Sequence, residues 1–154
     1  MLNPEQSANK DFSNRSLCNQ NLSRHDLANA NFSGTDLSNA SLNGANLQNA
    51  QMYGANLAYV KLCGAQLTNA KLNGVNMTGA DLTGADLAGA DLQRCNFKKA
   101  KFSNTNLDGA NVKGAQFKGS EGLTADEKRG LKERGAVFKD SDRTQNIRWW
   151  VQHV

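Results

Sequence analysis

Residues 80–92 read Ala-Asp-Leu-Thr-Gly-Ala-Asp-Leu-Ala-Gly-Ala-Asp-Leu, a five-residue unit repeated without a break. Followed in both directions, the unit sets a large apolar residue at every fifth position, 22 in all, the first at Phe12 and the last at Phe117. Five matches neither ordinary period. On an α-helix a step of five overshoots a full circle by about 140°, so these side chains would scatter around the axis. On a straight strand they would alternate between faces. All of them can point inward only if the backbone bends once per unit.

The neighbouring columns supply the bend. Two residues after the central position stands Gly eleven times and Asn seven times, the residues that tolerate left-handed backbone. One residue before it, Asp or Asn occurs fourteen times. Two before it, thirteen of the eighteen positions in 30–115 are Ala, and the others are Thr35, Thr105, Val60, Val75 and Cys95, all small. One large and one small side chain per unit predict a narrow interior with polar residues outside. Four sides to a coil would set opposing walls about 10 Å apart, the spacing at which packed sheets interdigitate. The register supports four: of the eight central residues that are not Leu, Phe12, Phe32, Met52 and Val112 recur at multiples of 20. Stacked at about 4.8 Å, such coils would form a rod of roughly 26 Å.

The pattern Ala-(Asp/Asn)-Leu-X-Gly resembles the pentapeptide-repeat family over residues 10–119, about 70% of the chain. That resemblance implies an all-β solenoid, a right-handed quadrilateral β-helix, here of about 5.5 coils with a short C-terminal capping helix.

With 154 residues, the length predicts one domain. Its parts are a lead-in at 1–9 holding the only proline, the repeat at 10–119, a helical cap at 120–138 and a tail at 139–154. In the first coil the inward small positions are Lys10, Arg15, Gln20 and His25. Long polar side chains there can arch over an open end, as expected of a terminal repeat. Beyond Gly119 the pattern stops. Thr124-Ala-Asp-Glu127 is a capping box, Lys132 and Arg134 lie in the last turn, and Gly135 fits the left-handed stop. Leu123, Leu131, Val137 and Phe138 are expected to cover the last coil.

No constellation for catalysis, cofactor or metal emerges. Cys18, Cys63 and Cys95 lack paired spacing. The segment from Gly114 to Ser120 lacks the lysine of a phosphate-cradling loop. Asp81, Asp86 and Asp91 fall on three different sides of a square coil. No span-length apolar run or signal segment occurs, so the default expectation is a cytoplasmic protein with no small-molecule substrate and no membrane span.

Two features exceed the repeat. Arg94, Lys98, Lys99, Lys101, Lys113 and Lys118 gather in the last coils against Asp108 alone, a candidate patch for an anionic partner. Ile147, Trp150, Val151 and Val154 follow helical spacing with Trp149 beside them, a candidate surface for homodimerisation through the tail. Folding back on the rod is the alternative.

Three functions follow from these features. The first is a non-enzymatic protein–protein interaction scaffold with an unknown protein partner. The second comes from the resemblance: some family members bind DNA topoisomerases through an acidic, duplex-imitating face. The net charge of +4 here runs against it. The third is weak, salt-dependent nucleic-acid binding at the basic end, which lacks an interleaved aromatic to stack bases.

Overall fold

The computed structural model describes residues 10–139, and the lead-in 1–9 and the tail beyond Lys139 lie outside it. The chain winds into a quadrilateral β-helix. Parallel bridges join each residue before a central position to its counterpart four units later, beginning with Asp11↔Asn31 and continuing to Lys101↔Glu121. Four sides therefore close one coil. The walls are numbered here by their central residues: wall 1 contains Phe12 and Leu92, wall 2 Leu17 and Phe97, wall 3 Leu22 and Phe102, wall 4 Leu27 and Leu107.

The interior follows from the two inward columns. Every central residue is buried except Leu17, which is half-buried in the first coil where no coil lies beneath. All eighteen small positions in 30–115 are buried too. The three that carry polar atoms satisfy them on backbone carbonyls of the preceding coil: Thr35 Oγ1 to Phe12 O (2.7 Å), Thr105 Oγ1 to Leu82 O (2.7 Å) and Cys95 Sγ to Leu72 O (2.8 Å). Aromatic rings fill the C-terminal coils, where Phe97, Phe102 and Phe117 meet at centroid distances of 5.1–5.2 Å.

Each corner is a tight turn. The amide three residues after a central residue donates to that residue's carbonyl, as Ala85 N does to Leu82 O at 2.9 Å. The residue two after the centre has positive φ at all 22 corners, as a type II turn requires. Where the column before the centre holds Asp or Asn, it locks the turn from outside: Asp36 Oδ1 accepts the Ser38 amide at 3.0 Å, and Asn46 Oδ1 accepts that of Gln48 at 3.2 Å.

At the N-terminal end Lys10 Nζ, beneath the Ala30 corner, reaches along the adjoining wall 4 to Ala28 O (3.0 Å) and Asp26 (3.6 Å), while His25 Nδ1 lies 3.0 Å from Ser23 O. At the other end, helix α1 (Ala125–Glu133) begins with the reciprocal capping box of Thr124 and Glu127 and is followed by Gly135 at φ 91°. Leu131 is buried, and Leu123 and Phe138 pack half-buried against the core.

The bridge ladder continues beyond the last of the 22 units. After α1, Val137 bridges Gln116 in parallel, Ala136 takes the inward place, and Phe138 stacks on Phe117 at 5.1 Å. In an unbroken ladder Gln116 would meet Ala136; it meets Val137 instead, one position late, because α1 stands in for a wall. Arg134 Nη1 donates to Ala110 O (3.0 Å), where an overlying strand amide is missing, and to Leu107 O (3.2 Å), which also accepts its turn amide from Ala110. One coil earlier the Ala90 carbonyl accepts the Asn111 amide at 3.0 Å, so the guanidinium replaces a strand donor.

Candidate functional site

The outer surface is built from three columns per wall: the bridge column, the residue after the centre and the corner. Among the described residues no group of three or more His, Cys, Asp or Glu is placed to hold a metal, and no helix is long and apolar enough to cross a membrane.

The carboxylates are structural. Asp11 and Asp36 sit below the usual carboxylate range, Asp11 chiefly through the Ser13 amide and Asp36 through the Ser38 hydroxyl and then its amide. Burial pushes Asp81 up, but hydrogen bonds from the Thr83 hydroxyl and amide and from Cys63 outweigh it, so its net direction is down. The thiols go the other way. Burial, then the neighbouring Asp81, raises Cys63, and burial pushes Cys95 up to about 12. Neither is a ready nucleophile at neutral pH.

The coil separates the six basic residues. Lys98 and Lys118 stand one above the other on wall 2, and Lys99 occupies the next corner. Arg94 and Lys113 lie around the adjoining corner on wall 1. Lys101 belongs to wall 3, with Asp81 and Glu121 as its bridge partners on either side. The structure thus brings Lys98, Lys99 and Lys118 together and sets Lys101 among acids. Along wall 2 the bridge column beside them runs Asn56, Asn76, Asn96 and Gln116, and its carboxylate, Asp36, stands three coils before Asn96.

Sequence reasoning did not place Tyr59 on the surface of these lysines. It is 57% exposed and occupies the same corner column as Lys99, two coils earlier, so an aromatic does share this surface. Counting back coil by coil from Lys99 would have found it. A groove of about 510 Å³ opens between α1 and wall 4, lined by Leu107, Asp108, Asp126, Glu127 and Arg134. It exists because α1 does not follow the wall it replaces. The tail residues Ile147, Trp149, Trp150, Val151 and Val154 lie outside the described residues.

A family model described as pentapeptide repeats matches in eight copies, over residues 11–49, 21–57, 50–87, 61–98 and 85–121. Among solved structures, the chain is similar to the pentapeptide repeat protein Rfr23 of the cyanobacterium Cyanothece 51142. The TM-score is 0.70 at 22% identity, covering 88% of this chain and 95% of that one. It is also similar to a pentapeptide repeat protein of the Arabidopsis thaliana thylakoid lumen, with TM-score 0.45, 24% identity, and 90% and 88% coverage. A third is QnrB1, a plasmid-mediated fluoroquinolone resistance protein, with TM-score 0.43, 18% identity, and 91% and 70% coverage. No curated protein matches the sequence.

Proposed function

The chain belongs to the pentapeptide-repeat family, and on that premise we propose that it acts without catalysis, as a rigid scaffold on whose flat walls another protein docks. Its 22 units, four to a coil, make a right-handed quadrilateral β-helix of about 5.5 coils, with α1 as the C-terminal cap.

One observation carries this reading. The aspartates of the bridge columns, the main set of carboxylates on the rod, are committed to turns. Asp11, Asp26, Asp36, Asp81, Asp86 and Asp91 each accept the amide two residues on, at 3.0–3.2 Å. A carboxylate that closes a turn is not poised to move a proton for a substrate.

The docking site we favour is wall 2 at Lys98, Lys99 and Lys118, with Arg94 and Lys113 at the adjoining corner, for an acidic protein surface. Weak nucleic-acid binding by the same wall is the second reading, and Tyr59 in the column of Lys99 supports it. A duplex-mimicking, topoisomerase-directed surface gains nothing from the charges, because Asp81, Asp86 and Asp91 stand on three walls. Self-association through residues 147–154 is a separate proposal, tested by light scattering on the full chain and on a truncation after Lys139.

The test is affinity capture from native cells with the full chain and with Lys98→Glu/Lys118→Glu, its fold checked by circular dichroism. A protein held by the first and lost by the second supports the scaffold. Nucleic acid held at physiological salt and lost in the same way replaces it with the second reading. Catalytic turnover abolished by changing one polar wall residue would overturn both.

A further inference from the structure

Wall 3 carries a column unlike those of the other walls. Its bridge residues Lys61, Asp81, Lys101 and Glu121 follow one another in the ladder, so charge alternates at every coil. Elsewhere the bridge columns are mostly Asn, Gln and Ser, and wall 1 has a single neighbouring pair of opposite charge, Lys71 and Asp91. Lys61, Lys101 and Glu121 are exposed, and Asp81 is half-buried. Among the described residues ion pairs form at Lys10–Asp26 and Arg129–Asp126, not within this column. Asp81 instead accepts the Thr83 amide and hydroxyl at 3.1 and 2.6 Å.

The order plus, minus, plus, minus becomes its own complement when reversed. Consider a two-fold axis perpendicular to the rod and level with the midpoint of Asp81 and Lys101. It lays wall 3 of one copy on wall 3 of a second, antiparallel copy, and carries each column onto itself. Lys61 then meets Glu121 of the second copy, and Asp81 meets its Lys101. Symmetry doubles both, so all four rungs meet opposite charge. Parallel copies would set each charge against its own kind. The rung spacings agree because both ladders are the same stack, about 4.8 Å per coil. Beside the column stand small residues, Cys63, Thr83 and Ser103, with Gly64 and Gly84 at the corner. Two such walls can approach until the long charged side chains span the gap.

We infer that wall 3 is a self-complementary docking surface for a second copy of this chain, antiparallel and held by the charge ladder. This goes beyond the scaffold reading and does not depend on the tail. The four rungs cover about 14 Å of rod, a short contact by the standard of stable dimers. Association is therefore weak, concentration-dependent and reduced by salt.

Sedimentation velocity on the full chain, over a concentration series at about 10 mM and about 300 mM salt, tests it. The unsubstituted chain associates at low salt. Asp81→Lys creates two like-charge pairs across the axis and weakens association about tenfold or more. Adding Lys101→Asp puts like charges next to one another within each rod but restores opposite charges across the axis. The double variant therefore regains association to within about threefold while its monomer loses stability. A column that served only to brace neighbouring coils would lose on both counts. Asp86→Lys on wall 4 leaves association unchanged. A chain monomeric throughout at low salt, a double variant no stronger than the single, or an Asp81→Lys variant that associates normally would each overturn the inference.

Discussion

Tyr59 lies across the corner that Gly79 makes one coil later: a Cβ built on Gly79 would stand 2.5 Å from both Cδ1 and Cε1 of the ring. The same pairing recurs wherever a corner residue is neither Gly nor Asn. Arg24, Arg94 and Lys99 are followed one coil later by Gly44, Gly114 and Gly119, and each long side chain leans over that glycine, with its Cγ 3.4–3.5 Å from where a Cβ would be. At those three corners a Cβ would make ordinary van der Waals contact, so of these four side chains only the Tyr59 ring requires the corner above it to be empty.

Gly79→Ala should therefore destabilise the rod more than Gly54→Ala. Both corners have nearly equal φ, 67° and 66°, and share the left-handed strain of about 1 kcal/mol. Only Gly79 adds a collision, since nothing lies within 4 Å of a Cβ at Gly54. Urea midpoints should rank Gly54→Ala above Gly79→Ala, and Tyr59→Ala should close most of the gap. Equal midpoints would mean the ring is not held over the corner.

Arg134→Ala removes the donor that replaces a missing strand amide at Ala110 O and also bonds Leu107 O, and should lower stability by about 1–3 kcal/mol. Arg129→Ala removes an exposed ion pair with Asp126 and should change it by less than about 1 kcal/mol. Hydrogen exchange should quicken around residues 106–111 in the first variant alone.

Leu87 and Ala85, 0% and 1% exposed, fill the two inward columns. Leu87→Asp should abolish folding, because it buries an unpaired carboxylate and each coil supports its neighbours. Ala85→Leu should destabilise by about 1–3 kcal/mol through overpacking. Native circular dichroism and unchanged midpoints for both would refute the column assignment.

Acid should weaken the turns. Asp36 and Asp11 ionise at lower pH folded than unfolded because the Ser38 and Ser13 groups donate to them. As pH falls below about 4 the unfolded chain takes up more protons than the folded one. The stability from these bonds is thus full above that pH and lost as pH drops through the folded values. Asp36→Asn keeps the turn acceptor without titrating, as Asn46 does, so its acid-unfolding midpoint should move to lower pH. An unmoved midpoint would show that Asp36 contributes nothing to acid stability.

The four-walled interior was legible because Phe12, Phe32, Met52 and Val112 share a register of 20 and Ala fills the small column. Arg24, Tyr59, Arg94 and Lys99 were opaque as corners, since propensity alone disfavours positive φ there. The return of the ladder at Ala136, Val137 and Phe138 was hidden because α1 shifts the register by one. The basic patch was only partly legible: Lys101 is near Lys99 in sequence, but a corner separates them and places it in an alternating charge column.

Every wall assignment rests on the coil's closing after four sides, and one pair of hydroxyls tests that directly. Ser23 Oγ and Ser41 Oγ lie 2.7 Å apart although they belong to successive coils. With Cys18 and Cys63 changed to Ser, the pair Ser23→Cys/Ser41→Cys should form a disulfide under mild oxidation, read by mass spectrometry of unreduced peptides. The pair Ser23→Cys/Ser38→Cys, on different walls, should not. Failure of the first to crosslink, or equal crosslinking of both, would contradict the four-walled coil.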